Sequence, residues 1–148
     1  YGNETPEEVN PDYEDVYSWL VHGYYTVNAL SVGIGWYGIS DNQGDITAGI
    51  FDAFDPMIED CTIPFDEQNN AQLYYADASL DLAPFSIELM YGYGRNKAME
   101  VNSHELDAIV SYDLTASLQA AAFAAYNNYS DDILTDYTKM GMSLTYTY

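Results

Sequence analysis

Basic side chains are almost missing from this sequence. Arg95, Lys97 and Lys139 stand alone against 24 acidic residues, for a formal net charge of −21. That balance excludes nucleic acid as a partner, because binding it requires cations that displace the counterions condensed on the phosphates. An anionic lipid surface would repel the loops for the same reason. Cysteine is nearly absent too: Cys61 stands alone, so no disulfide can form within the chain, and no Cys/His spacing suggests zinc. Cys61 reads as a small loop residue. No stretch reaches the roughly 20 apolar residues of a membrane-spanning helix, since the uncharged run at residues 114–128 is too short and too rich in alanine. The opening residues have neither a cationic start nor an apolar stretch, so no leader remains there; it has been removed, or Tyr1 lies inside a longer precursor. Glycine-rich phosphate motifs and nucleophile elbows are absent. His22 and His104 are the only histidines, and His104 sits between Ser103 and Glu105, whose side chains point to the opposite face of a strand. No catalytic dyad follows, and the chain is not expected to be an enzyme.

Aromatic residues are abundant instead, with 16 Tyr, 5 Phe and 2 Trp in a chain that is 48% hydrophobic. A disordered acidic chain would be aromatic-poor, so this one folds. Met140, Gly141, Met142, Ser143, Leu144, Thr145, Tyr146, Thr147 and Tyr148 alternate apolar and small or polar without exception. That period of two specifies a strand with one apolar and one wet face.

Similar segments recur between breaks rich in Gly, Asn and Asp, near residues 15–25, 29–38, 71–82, 85–94, 103–113, 117–127 and 137–148, with a weaker candidate at 45–54. Each strong segment is near the roughly 9 to 11 residues of a tilted membrane strand. Their faces agree. Leu30, Val32, Ile34 and Trp36 oppose Ser31, Gly33 and Gly35, and Phe85, Ile87, Leu89, Tyr91 and Tyr93 oppose Ser86, Glu88, Gly92 and Gly94. In residues 117–127 only Phe123 breaks the rule, by falling on the polar side. Aromatics gather near the segment ends, where membrane interfaces favour amphipathic rings.

Connections are expected to alternate in length. Residues 81–84 and 112–116 read as tight turns, and residues 95–102 and 128–136 as longer polar loops. Upstream, two readings stay open. If residues 45–54 form a strand, there are eight strands and a long loop at 55–70. Otherwise there are seven, with a turn at 26–28 and one large loop at 39–70. Bacterial single-chain barrels have even strand numbers, so seven would make this part of a larger barrel. The expected fold is therefore an all-β, antiparallel transmembrane β-barrel of seven or eight strands, with an acidic arm at residues 1–14 and strands over 15–148.

Alternation points Asp77, Asp81, Glu88, Glu105, Asp107 and Asp113 inward, away from the apolar face. The filled interior of an eight-stranded barrel would demand partners for each of them. Glycines on the same face leave volume open. These residues favour a wide, water-filled, cation-preferring lumen, against the plainer reading that the acids are solvated near strand ends.

Residues 70–148, and more loosely 15–38, resemble the C-terminal part of the Gram-negative outer-membrane porin family. The resemblance rests on the Leu144-Thr145-Tyr146-Thr147-Tyr148 ending and on Tyr112-Asp113-Leu114-Thr115 as a porin-like periplasmic turn. It implies a trimeric channel in outer-membrane lipid for passive diffusion of small hydrophilic solutes. It also implies that Leu144, Tyr146 and Tyr148 belong to the signal read by the outer-membrane assembly machinery. General porins set an arginine and lysine cluster against acids on a constriction loop, and this sequence lacks that cluster.

Asp41, Asp45, Asp55, Glu59 and Asp60 offer oxygen ligands of the kind calcium accepts, although the stretch at residues 41–45 is not a complete calcium loop. Solvated loop acids are the plainer account. Two alternatives to the channel remain: a complete eight-stranded barrel with a structural or adhesive role, and a soluble acidic β-sandwich at a cell surface.

Overall fold

The computed structural model describes residues 17–39, 71–97, 100–130 and 135–148. The acidic arm, the weak strand candidate at 45–54 and all five calcium-ligand candidates lie outside them. The described residues form one antiparallel sheet of seven strands in chain order: β1 (Ser18–Val27), β2 (Leu30–Ile39), β3 (Ala71–Leu82), β4 (Phe85–Asn96), β5 (Val101–Thr115), β6 (Leu118–Tyr129) and β7 (Tyr137–Tyr146). The sheet is a simple meander and is not closed, since β1 and β7 are its two edges.

β2 pairs directly with β3, antiparallel, from Leu30↔Leu80 to Gly38↔Gln72. Ile39 and Ala71 therefore stand at the same end of the sheet.

Two-residue turns close one end of the sheet, at Asn28–Ala29, Ala83–Pro84 and Ala116–Ser117. Asn28 takes φ 53°, a left-handed conformation that Asn tolerates better than most residues. The second residue of each turn is tied to the next hairpin. Ala29 O accepts from Asp81 N, Pro84 O from Asp113 N and Ser117 O from Thr147 N, each at 2.9 Å. This repeated bond fixes a stagger from one hairpin to the next.

Two expected connections move. The run Tyr112 to Thr115 is strand with a register shift near Leu114, and the turn comes after it. Tyr112 is held in β5 by its partner Phe85, whose ring lies 4.6 Å from its own. The expected loop at 95–102 shrinks because Asn96 pairs with Val101.

The two faces are chemically opposite, as the alternation requires, but their exposure inverts that of a soluble sheet. On the apolar face Ile34 is 71% exposed, Met142 87% and Leu144 71%. On the polar face Glu105, Asn127 and Ser103 are fully buried. The buried apolar cluster is small, consisting of Tyr37, Ile39, Leu73 and Tyr75 with Met90 against it, and it lies on the polar face toward the end away from the two-residue turns.

Candidate functional site

Strand pairing sets the polar face out in rows. One row crosses the sheet as His22, Gly35, Tyr75, Gly92, Glu105, Asn127 and Tyr137, and the next as Tyr24, Gly33, Asp77, Met90, Asp107, Ala125 and Lys139. Tyr75 is flanked by two glycines, and its ring lies so close over Gly35 that a Cβ there would collide with it. A Cβ on Gly33 would likewise strike both Asp77 and His22, whose Nε2 meets Asp77 Oδ1 at 2.8 Å. Phe123, the one exception to the alternation, lies over its cross-strand partner Gly141. The glycines at 33, 35 and 141 are thus seats for neighbouring side chains. At these three positions the volume is filled, which weakens that argument for a wide lumen.

The six inward acids divide by depth. Glu105 and Asp107 are buried, and Glu105 Oε2 accepts from Asn127 Nδ2 at 3.1 Å. A carboxylate taken from water needs such donors, because desolvation without them is costly. Asp77 is half-buried and bonded to His22. Asp81, Glu88 and Asp113 are exposed toward the two-residue turns, and Asp113 Oδ1 accepts from Gln119 Nε2 at 3.0 Å. Lys139 stands within β7 on this same face, in the row of Asp107. A recess of about 340 Å³ opens here, lined by His22, Tyr75, Asp77, Ser79, Glu88 and Met90. Its acids and histidine converge from three strands, β1, β3 and β4.

These partnerships were invisible to alternation, which assigns a side chain to a face but not to a neighbour. His22 and Asp77 lie on strands flanking β2 and meet only because Gly33 between them has no side chain. Alternation alone puts Asn127 and Gln119 on the polar face, and only the β5–β6 register sets each beside its carboxylate.

The expected insertion-signal residues Leu144, Tyr146 and Tyr148 are all exposed, with Leu144 and Tyr146 on the apolar face of β7. Aromatics border that face at both ends. Trp19, Trp36, Tyr74, Tyr91 and Tyr126 lie toward the far end, with Trp19 and Trp36 edge to face at 5.5 Å. Tyr25, Phe85, Tyr112 and Tyr146 lie toward the two-residue turns. His104 also lies on the apolar face near the far end, where its Nδ1 meets Tyr91 Oη at 2.7 Å. A shallow apolar trough of about 570 Å³ runs between Val110 and Tyr112 on one side and Met142 and Leu144 on the other, over Ala120 and Ala122.

Among the described residues no three His, Cys, Asp or Glu side chains gather as a metal site, and no helix is long and apolar enough to cross a membrane, which says nothing of strands. No family model matches the chain, and no curated protein matches it.

Proposed function

We propose that this sheet is part of the wall of a porin-like channel in the bacterial outer membrane. The channel passes small hydrophilic solutes by passive diffusion and prefers cations. The carrying observation is the inverted exposure: apolar side chains are bare on one face, while Glu105, Asn127 and Ser103 are buried on the other. Soluble monomers rarely expose an apolar patch beyond a few hundred Å², and here the bare face extends across all seven strands. Lipid would cover it. Along the strands the aromatic borders stand six to eight residues apart, from Trp19 to Tyr25 and from Phe85 to Tyr91 and Tyr93, or about 15–20 Å along the membrane normal at a tilt of about 40°. That fits within the roughly 25 Å apolar band of outer-membrane barrels. Such barrels present Tyr and Trp at both interfaces.

The preference for cations follows from the exposed acids Asp81, Glu88 and Asp113 on the polar face, whose field raises local cation concentration against a low-dielectric wall. Trimeric assembly, insertion by the outer-membrane machinery and reading of Leu144, Tyr146 and Tyr148 as its signal belong to the same proposal. A planar bilayer measurement under a salt gradient tests it. The expected reversal potential has the sign of cation permeation; anion preference, or full solubility of the protein without detergent, sinks the reading.

A further inference from the structure

We infer that the recess between β1, β3 and β4 is a subsite for a small organic cation whose charge sits on a donor group, a primary ammonium or a guanidinium on a short carbon skeleton. This assignment adds a solute class to the cation-preferring channel and rests on that reading for the route by which the solute arrives. Four side chains of the recess stand at the corners of one cross-strand square. Asp77 pairs with Met90 and Ser79 with Glu88, all on the polar face, so the two carboxylates occupy one diagonal. Diagonal neighbours in an antiparallel pair lie about 7–8 Å apart. At that spacing one ammonium group lodged between the carboxylates can donate to both.

The lining asks for positive charge. His22 Nε2 meets Asp77 Oδ1 at 2.8 Å, which fixes that carboxylate and leaves its second oxygen for another donor. Glu88 is exposed and makes no ion pair among the described residues. None of the chain's three cations faces the recess. Arg95 is on the apolar face, in register with Gln72 and Asn102, and Lys97 lies in the turn beyond β4. Lys139 is three strands away from β4, at the other end of the row that holds Met90. An occupant therefore brings both the charge and the donors, as ammonium and guanidinium groups do.

The lining also asks for a carbon skeleton. Among the described residues no three His, Cys, Asp or Glu side chains gather closely enough to hold a metal ion. Met90 and Tyr75 add apolar wall, which a hydrated ion leaves unused and a short methylene chain covers. The volume of about 340 Å³ is at the small end of ligand pockets. Shape depends on Gly33, since a Cβ there would strike both Asp77 and His22 and push them from their places.

Amide NMR of the protein in detergent micelles reads binding residue by residue and needs no conductance. The probe is n-butylammonium chloride, compared with potassium, tetramethylammonium and butyrate. Saturable shifts centred on Asp77, Ser79, Glu88 and Met90 are expected with n-butylammonium alone. Asp77→Asn should raise its half-saturating concentration about tenfold, the loss of one charge-assisted hydrogen bond. Gly33→Ala, which keeps every charge, should also raise it, with spectra outside β1–β4 unchanged as the sign that the variant is folded. Three results overturn the inference: shifts that never saturate and appear equally at Asp81 and Asp113; equal shifts with potassium or with tetramethylammonium, which has the charge but no donor; and parental affinity in Gly33→Ala, since charge alone would then suffice. Bilayer recording separates this subsite from the channel. Saturable shifts in a protein that carries no current refute the channel and leave the subsite, whereas current without saturable shifts refutes the subsite alone.

Discussion

Two amide–carboxylate bonds on the polar face pose the same chemistry at different depths. Asn127 Nδ2 donates to Glu105 Oε2 where both residues are fully buried, and Gln119 Nε2 donates to Asp113 Oδ1 where both are exposed. Water can replace the lost donor in the second case but is kept from the first. Asn127→Ala is therefore expected to destabilise the protein by about 1–3 kcal/mol, the cost of removing a donor from a buried carboxyl group. Gln119→Ala should stay within about 0.5 kcal/mol. Denaturant unfolding of the two variants decides; equal costs would mean that depth is not what makes the Glu105 bond matter. The same scale explains why Phe123 breaks the alternation. Its ring lies over Gly141, and a Cβ on that glycine would collide with it.

Within single strands, the apolar face makes a claim about depth. On β6 the residues Leu118, Ala120, Ala122, Ala124 and Tyr126 share that face. If lipid covers it, Ala122→Arg near the middle costs about 2–4 kcal/mol and Leu118→Arg at the turn end about 0–1. On an ordinary solvent-exposed strand both would fall within about 0.5 kcal/mol. Equilibrium unfolding in lipid vesicles reads the difference, and a flat profile along β6 would reject the lipid face.

That face was legible in the sequence because alternation is a property of one strand. The strand ends were less so. Asn28–Ala29, Ala83–Pro84 and Ala116–Ser117 carry no strong hairpin signature of the Asn-Gly kind. Tyr112 to Thr115 has the look of a turn, yet Phe85 holds Tyr112 in the sheet. The polar face was legible residue by residue but not as a site, since a shift of one residue in register moves every side chain to the other face. His22 beside Asp77 depends on two registers at once.

For the whole molecule, a net charge of −21 favours cations in any water it borders, but composition does not say which carboxylates a permeating ion would feel. Depth on the polar face does. Asp81 and Glu88 are exposed there, whereas Glu105 is buried against Asn127. A unit charge about 7 Å from an ion in water contributes about 0.6 kcal/mol, or about threefold in local concentration. Removing Asp81 and Glu88 together, as Asp81→Asn with Glu88→Gln, is therefore expected to lower the cation-to-anion permeability ratio several-fold at about 0.1 M salt. There the screening length is about 10 Å. At about 1 M it falls to about 3 Å, and the double variant should become indistinguishable from the parent. Glu105→Gln should leave the ratio nearly unchanged at both salts while weakening the fold, because its carboxylate faces Asn127 and not the open recess. Reversal potentials of the parent and both variants at the two concentrations test the whole pattern. If Glu105→Gln shifts selectivity as much as the exposed pair does, overall charge governs permeation and the arrangement of the polar face does not.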